Sequence, residues 1–358
     1  MLLYLQRKIT YAFLTLFGVI TVIFLLFSVL PGDPARMMLG QNSNSEQLAQ
    51  MKHKYGFDQP ILKQYLFYVN DLSPLSFHSN TEEDYTFFNT DNYNGIIIFK
   101  GSSFNVAFKS PYLRYSFARP GKRVSDILSE TIPNTIFLAL AAISIAIFLG
   151  IILGIAGALN HNSWIDRIIQ VISTVGMSVP SFFSAIIFAW LFGYLWHDWT
   201  NLNMTGSLYE VDDFGERRSI ALKNIILPAI VLGIRPLAVI SQLMRNALLD
   251  VLDQDYIRTA KAKGLRPFQV IKNHALKNAL NPVITAVSGW FASMLAGAVF
   301  VEFVFGWNGL GKEIVSALNT LDLPVIMGSV LTIALFFIII QTVVDILYAW
   351  LDPKVKLD

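Results

Sequence analysis

Residues Ile132 to Leu159 read IPNTIFLALAAISIAIFLGIILGIAGAL, 28 residues without a single charged side chain. As an α-helix rising about 1.5 Å per residue the run is long enough to cross the ~30 Å hydrocarbon layer of a bilayer. A water-soluble core has no need of such a run. The rest of the chain agrees: its 358 residues are 54% apolar but only 15% charged, with a mean hydropathy of +0.51. Soluble domains are of similar apolar content but about a quarter charged, so the shortage of charge is the informative figure. Disorder, a secreted disulfide scaffold and an ordinary soluble enzyme are excluded. A net charge of +2 gives no footing for a nucleic-acid partner. Cysteine is absent, which removes disulfides, thiolate metal sites and a cysteine nucleophile. The histidines at 53, 78, 161, 197 and 274 are scattered and none sits in HExxH, so a zincin-type metal site has no support. The chain reads as an integral membrane protein.

Working outward, Ile9–Leu30 is charge-free for 22 residues, Ile168–Trp196 for 29, Val283–Val301 for 19 and Leu323–Val344 for 22. Arg7 and Lys8 before the first run resemble a signal peptide. The run is too long for one, however, and ends in Ser28-Val29-Leu30-Pro31 without small residues at both cleavage subsites, so it reads as a retained span. A weaker segment, Ala221–Met244, is interrupted by Lys223, Arg235 and Pro236. Charge decides whether it counts. Arg245, Arg258, Lys261, Lys263, Arg266, Lys272 and Lys277 face only Asp250, Asp253 and Asp255 in the following loop, which marks the cytoplasmic side. Arg7 and Lys8 mark the same side for the N-terminus, and Lys354 and Lys356 for the C-terminus. Only six spans satisfy all three.

The expected fold is therefore an all-α polytopic membrane protein with six transmembrane helices and both termini in the cytoplasm. Its expected parts are an N-terminal segment and first helix (1–30), an external loop (31–125), a five-helix core (126–352) with an inward loop at 245–282, and a cytoplasmic tail (353–358). Loops 197–222 and 305–322 also face outward, and 160–167 inward. The first loop is basic, but long loops translocate largely regardless of charge. Its stretch 76–117 holds eleven aromatic residues, with strand-like runs Gly95–Lys100 and Phe104–Lys109 around Gly101-Ser102-Ser103. That reads as a small ordered cap containing β-structure. It either packs on the protein's own outer mouth or docks an external partner.

The inward loop is the most organised polar part. Asp250 to Lys263 is rich in helix formers and Gly264 is a natural C-terminal stop. Pro267 opens a second helix, Phe268 to Leu280, which Pro282 ends. A helix, a glycine elbow and a helix form a protrusion that membrane packing does not require. The alternative, a basic loop lying on anionic lipid, needs neither the elbow nor the small residues.

Asp255-Tyr256-Ile257-Arg258-Thr259-Ala260-Lys261-Ala262-Lys263-Gly264-Leu265 resembles the "EAA" loop of bacterial ABC-importer permeases. It is most similar to the DYIRTARAKGL form in the dipeptide/oligopeptide permease family. Arg258 stands in the general Glu slot and Thr259 in the first Ala slot, as in that branch, while Ala260 and Gly264 match. The likeness continues along the chain. It includes Pro31-Gly32-Asp33-Pro34, the stretch Tyr55-Gly56-Phe57-Asp58-Gln59-Pro60 with Tyr65, Thr131-Ile132-Pro133-Asn134-Thr135, and Val179-Pro180-Ser181-Phe182, which breaks the third span. Glu302-Phe303-Val304-Phe305, Gly309-Leu310-Gly311, Asp322-Leu323-Pro324-Val325 and the ending Leu351-Asp352-Pro353-Lys354 complete it. Each tetrapeptide is weak alone; their order and spacing are specific. The external stretch 76–117 departs from the family pattern by its length.

The resemblance implies an importer subunit of the bacterial cytoplasmic membrane. Its implied partners are a second homologous permease, two ABC ATPase subunits, an external solute-binding protein and membrane lipids. It implies peptide transport by alternating access, with nickel chelates or another small solute as the alternative cargo. No cofactor is expected on this chain, since ATP and Mg belong to the ATPase subunits, and the chain itself is not expected to be an enzyme. The ATPase-coupling loop would comprise Asp255, Tyr256, Arg258, Thr259, Ala260, Lys261, Lys263, Gly264, Leu265 and Phe268. In it Ala260 and Gly264 would let the two backbones approach, and the cations would pair with acids at the rim. Arg235, the one charge deep in a span, either lines the path and attracts a peptide carboxylate or is a structural arginine that snorkels. Pro180 and Gln242 are the other path candidates. Pro180, Gly176 and Pro236 either loosen helices at a gate or are plain kinks.

Gly306 to Glu313 nearly fits GxxxxGK[ST], but Glu313 replaces the hydroxyl residue and no strand–loop–helix unit surrounds it. It is not a phosphate loop. An intramembrane enzyme would need acid–base pairs inside the spans, which hold no histidine before His197 and no paired aspartates. A stand-alone secondary transporter would show inverted repeats, and none is visible. A channel would not need the inward loop.

Overall fold

The computed structural model describes residues 2–29, 34–39, 44–82, 84–211 and 218–351. The motif residues Pro31, Gly32 and Asp33, the ending from Asp352 and the tail 353–358 lie outside the described residues. In chain order the elements are α1 (Leu2–Val29), α2 (Pro34–Leu39), α3 (Ser45–Lys54), α4 (Ile61–Leu72), β1 (Leu75–Ser79), β2 (Gly95–Lys100), β3 (Phe104–Lys109) and α5 (Val124–Leu159). Then come α6 (Trp164–Ser178), α7 (Ser181–Trp190) with a π turn at Leu191–Leu195, α8 (His197–Thr200), β4 (Tyr209–Val211), β5 (Arg218–Ile220) and α9 (Lys223–Leu252). The chain closes with α10 (Asp255–Ala262), α11 (Pro267–Val270), a π turn at Ile271–Ala275, α12 (Leu276–Ala279), α13 (Asn281–Phe305), α14 (Leu310–Thr320) and α15 (Leu323–Leu351).

The protein is mostly helical. Among the described residues, four helices are long and apolar enough to cross a membrane, within α1, α5, α9 and α15, and up to six if each of two bent pairs is one span. The first pair is the charge-free run 168–196: it does not form one rod but two helices, α6 and α7, at 108°. The cause is local. Val179, preceding a proline, is extended (φ −79°, ψ 130°), and Pro180 has no N–H to continue the ladder. The second pair lies within α13, where Asn281–Met294 and Ala298–Phe305 are inclined at 56°. Pro228 and Pro236, by contrast, leave α9 unbroken.

The chain divides into two compact units. The first combines Met1–Thr131 with Glu313–Leu335. Here α4 lies against α1: Tyr65 Oη and Thr21 Oγ1 are 2.7 Å apart, and the Phe24 and Tyr65 rings meet edge to face. Strands pair antiparallel in the order β1-β3-β2, with Leu75, Phe108 and Ile96 in register on one face and Ser76, Ala107 and Ile97 on the other. The hairpin Gly95–Lys109 is the expected one; β1 is an addition to it. The sheet is inverted relative to a soluble one, because Ser76, His78 and Lys109 are buried while Leu75, Phe77, Ile96 and Phe108 are exposed. Beneath the polar face lies Asp71, 1% exposed. It accepts hydrogen bonds from Tyr85 Oη (2.8 Å), Tyr93 Oη (3.0 Å) and Arg114 Nε (2.9 Å), and its backbone carbonyl accepts from Lys109. In the same unit Asp322 is buried and accepts from Ser116 and from the backbone amides of Phe117 (3.0 Å) and Ala118 (3.2 Å).

The second unit holds Ile132–Lys312 and Phe336–Asp358. Its centre is α9, with α5, α6, α7 and α13 around it. On α5 a Cβ at Gly150 would meet Ile240 at 2.7 Å, and one at Gly154 would meet Met244 at 2.6 Å, so small residues let these two helices touch. Asn134, Thr135 and Trp307 join one end of the bundle. Trp307 is fully buried with Nε1 donating to the Asn134 carbonyl (3.0 Å), and Leu310 N donates to Thr135 Oγ1 (2.8 Å). The glycine-rich turn that mimics a phosphate loop closes on the chain's own acid: Gly311 N donates to the buried Glu302 carboxylate at 2.6 Å.

Candidate coupling loop and transport path

The inward loop 245–282 starts from an ion pair. Arg245, on α9, grips Asp166 of α6 with two bonds, Nε to Oδ1 at 2.6 Å and Nη2 to Oδ2 at 2.7 Å. Gln170 Nε2 and the Asn162 amide supply two further donors at 3.0 Å. Asp166 is 1% exposed, and this geometry is the bidentate kind that fixes orientation. Sequence reading took Arg245 only as one of seven loop bases. The available signal was Ser163 three residues before Asp166, a helix start, with a lone acid facing a loop full of cations.

The expected helix Asp250–Lys263 is two pieces. Helix α9 ends at Leu252, and Gln254 is extended (φ −72°, ψ 148°) before α10 begins at Asp255. One face of α10 is apolar and closed: Ile257 is 0% and Ala260 5% exposed, packed with Leu248, Val270, Ala275 and Ala279. Ala260 therefore faces the chain's own interior. Its small size serves the packing of α10 on the loop's second limb rather than the approach of another surface. Tyr256 Oη accepts from Asn278 Nδ2 (2.8 Å), tying the two limbs again.

Helix α10 ends in a Schellman arrangement: Gly264 N donates to the Lys261 carbonyl (3.0 Å) and Leu265 N to the Ala260 carbonyl (3.4 Å). Gly264 sits at φ +79°, a left-handed conformation that costs an L side chain about 1–2 kcal/mol. No atom lies within 4 Å of where its Cβ would be, so the backbone, not crowding within the chain, requires glycine there. The second limb, expected as Phe268–Leu280, runs from Pro267 to Ala279 through a π turn, and Pro282 begins α13 rather than ending a helix.

The remaining loop residues point to solvent. Asp255, Arg258, Thr259, Lys261 and Lys263 are exposed, and Asp255 and Arg258 form an i,i+3 pair at 3.3 Å that contributes little. Leu265 is half-buried against the seam. Phe268 is 71% exposed, an aromatic ring held out beside the elbow. The loop is thus a ridge, rigid on its inner side and displaying cations and a phenyl ring on its outer side.

Of the path candidates, Arg235 is exposed and Gln242 half-buried, two turns apart on one stripe of α9, with the buried Ile240 and Met244 on the far side. Pro180 lies elsewhere, exposed at the break between α6 and α7. Among the described residues no group of three or more His, Asp or Glu could hold a metal ion.

Comparison with known proteins agrees with this architecture. Residues 146–357 match the family described as the inner membrane component of binding-protein-dependent transport systems, and residues 1–80 match its N-terminal family. The chain is 33% identical to the di/tripeptide transport system permease protein DppB of Pseudomonas aeruginosa, over 99% of each chain. It is 31% identical to the dipeptide transport system permease protein DppB of Bacillus subtilis, over 96% of this chain and 94% of that one. A chain of the MetNI methionine ABC transporter in an inward-facing conformation matches 64% of this chain and 97% of its own length, with a TM-score of 0.50 at 15% identity, a likeness of fold. The chain is a multi-pass membrane protein belonging to the family of inner membrane components of binding-protein-dependent transport systems.

Proposed function

We propose that the chain is the six-span permease subunit of an ATP-driven importer that moves di- or oligopeptides across the cytoplasmic membrane. The observation that carries this reading is full-length similarity to permeases named for dipeptide transport. Counting each bent pair as one span gives six. Six spans put the basic loop 245–282 and both termini in the cytoplasm, 31–125 outside as a cap, and 126–352 as the permease core with 353–358 as a tail. The 75–109 sheet supports an ordered cap.

In this reading the ridge of α10 and its elbow sits in a cleft on an ABC ATPase subunit. Phe268 supplies a desolvated aromatic anchor, the part of an interface that carries most of its energy. Arg258, Lys261 and Lys263 steer the approach and set register. The closed seam of Ile257 and Ala260, with the Arg245–Asp166 pair behind it, transmits a push on the ridge to α9 and α6 as a rigid displacement. Arg235 and Gln242 lie on the same helix, so movement of α9 alters the stripe a peptide would pass. A second permease completes the path, and an external binding protein delivers the cargo. The chain hydrolyses no ATP and holds no cofactor.

Gentle detergent extraction of the tagged protein from its native membrane, with mass spectrometry of what remains bound, tests the assembly. Recovery of ATPase subunits and a second permease is expected, together with peptide uptake that Gly264→Glu abolishes while insertion is unchanged. Normal uptake by that variant, or a chain recovered alone after crosslinking, would sink the coupling assignment.

A further inference from the structure

The first unit contains a cavity of about 500 Å³ between α1, α4, the start of α15 and the segment near Leu113. Its walls are largely apolar, with Phe24 and Phe27 from α1, Phe67 from α4 and Met327 from α15. Ser28, Lys52, Tyr55, Gln64 and Arg114 also line it, so cations and hydrogen-bonding groups stand beside the apolar walls, and one further polar group is left over. Tyr68 is 4% exposed and lines the cavity, yet its hydroxyl has no hydrogen-bond partner in the protein. A buried hydroxyl left unpaired is costly, so its retention points to a ligand atom that accepts from it.

The position of the cavity sets the chemistry of that ligand. Thr21, hydrogen-bonded to Tyr65, lies eight residues before the end of α1 at Val29, which is about 12 Å of helix. Helix α4 is therefore held beside α1 at the depth of hydrocarbon, not above it. Its free side agrees: Ile61, at the cavity wall, is 58% exposed, and Leu62 and Leu66 on the same helix are exposed too. With Ile61 in its wall and exposed leucines beside it on α4, a cavity at that depth adjoins lipid.

We infer that this cavity is a phospholipid site, taking one acyl chain between α1, α4 and α15 with the Tyr68 hydroxyl donating to the lipid's ester carbonyl. The site rests only on the chain spanning a bilayer; in the topology proposed above it belongs to the outer leaflet. A lipid held there fastens α4 to α1 and to the start of α15 within the first unit. A peptide side chain has the size to enter a 500 Å³ cavity, but hydrocarbon depth disfavours the polar backbone and charged termini of a peptide.

The test is photolabelling. The full chain, with whatever proteins copurify, is reconstituted in phosphatidylethanolamine–phosphatidylglycerol vesicles carrying a phosphatidylethanolamine with a diazirine in its acyl chain. Labelled peptides are mapped by mass spectrometry. Peptides containing Phe67 and Met327 should be labelled above the peptide with the exposed Phe182 and Phe183, which reports ordinary lipid contact. Tyr68→Phe should lower the cavity labelling about fivefold, the worth of one hydrogen bond, and Met327→Trp should remove it by filling the space. Cavity labelling no higher than the reference, or unchanged in both variants, overturns the site. So does displacement of the lipid by a photoreactive apolar tripeptide that labels the same residues. None of these outcomes depends on ATPase association or on transport.

Discussion

The ridge at 255–279 and the sheet at 75–109 are built on opposite plans. The ridge follows the soluble rule, with an apolar seam of Ile257, Ala260 and Val270 inside and charge outside. The sheet reverses it: Asp71, Ser76, His78 and Lys109 are inside and phenylalanine and isoleucine side chains outside. An apolar seam is held by area and tolerates modest change, whereas a buried charge network fails when one member is lost, because the others remain desolvated and unpaired. The ridge should therefore be damaged gradually and the sheet abruptly.

The largest effect is expected at Asp71. Asp71→Ala strands Arg114, Tyr85 and Tyr93, and should cost about 3–5 kcal/mol. Hydrogen–deuterium exchange should then rise throughout 75–109 and stay unchanged at 255–279; equal loss in both would erase the contrast. Ile257→Ala is the converse experiment. It should cost the ridge about 2–4 kcal/mol and leave the sheet protected. Gly264 separates conformation from contact. Gly264→Asn keeps the left-handed turn and should keep ridge protection, while Gly264→Val should lose about 1–2 kcal/mol there, read by the same exchange experiment.

The smallest effect is one of pH and belongs to the sheet alone. His78 is buried with Nδ1 2.9 Å from the Thr86 carbonyl and Nε2 2.8 Å from Ser76 Oγ, and burial lowers its pKa below the ordinary 6.5. The unfolded state then binds the extra proton as pH falls below 6.5, so stability of the sheet should decline on acidification, by at most about 1.4 kcal/mol per pH unit. Burial likewise pushes Lys109 down to about 8 against Asp71, so between that value and its ordinary 10.5 the stability should rise with pH. Thermal unfolding of the wild type against His78→Gln isolates the acid limb, which the variant should lack.

The same contrast explains what could be read from the chain. The apolar runs, the helix–glycine–helix of the inward loop and the hairpin at Gly95–Lys109 are local patterns, and each is present at close to its expected place. Gly264 was legible as the stop of α10, and its left-handed cap is that stop; Ala260 was legible as a small residue, but the reason for its size was not. Inward packing of Ala260 depends on Val270 and Ala275, which lie across the elbow on the second limb. Asp71 was illegible because its partners lie 14, 22 and 43 residues away. Asp166 and Arg245, 79 residues apart, were illegible for the same reason. The break in the third span was written in Val179-Pro180, but a charge-free run says nothing of direction, so the 108° angle between its two helices was not legible.

The central claim, that the ridge is an ATPase seat, is open to a clean test because the chain contains no cysteine. Single cysteines at Phe268, Lys261 and Ile257 would be introduced and crosslinked in membranes holding the intact transporter. Phe268→Cys and Lys261→Cys should capture an ABC ATPase subunit, with a yield that changes on adding ATP, while Ile257→Cys, closed inside the seam, should not. Capture of no ATPase at the two exposed positions, with the subunits present in the same membranes, would contradict the account.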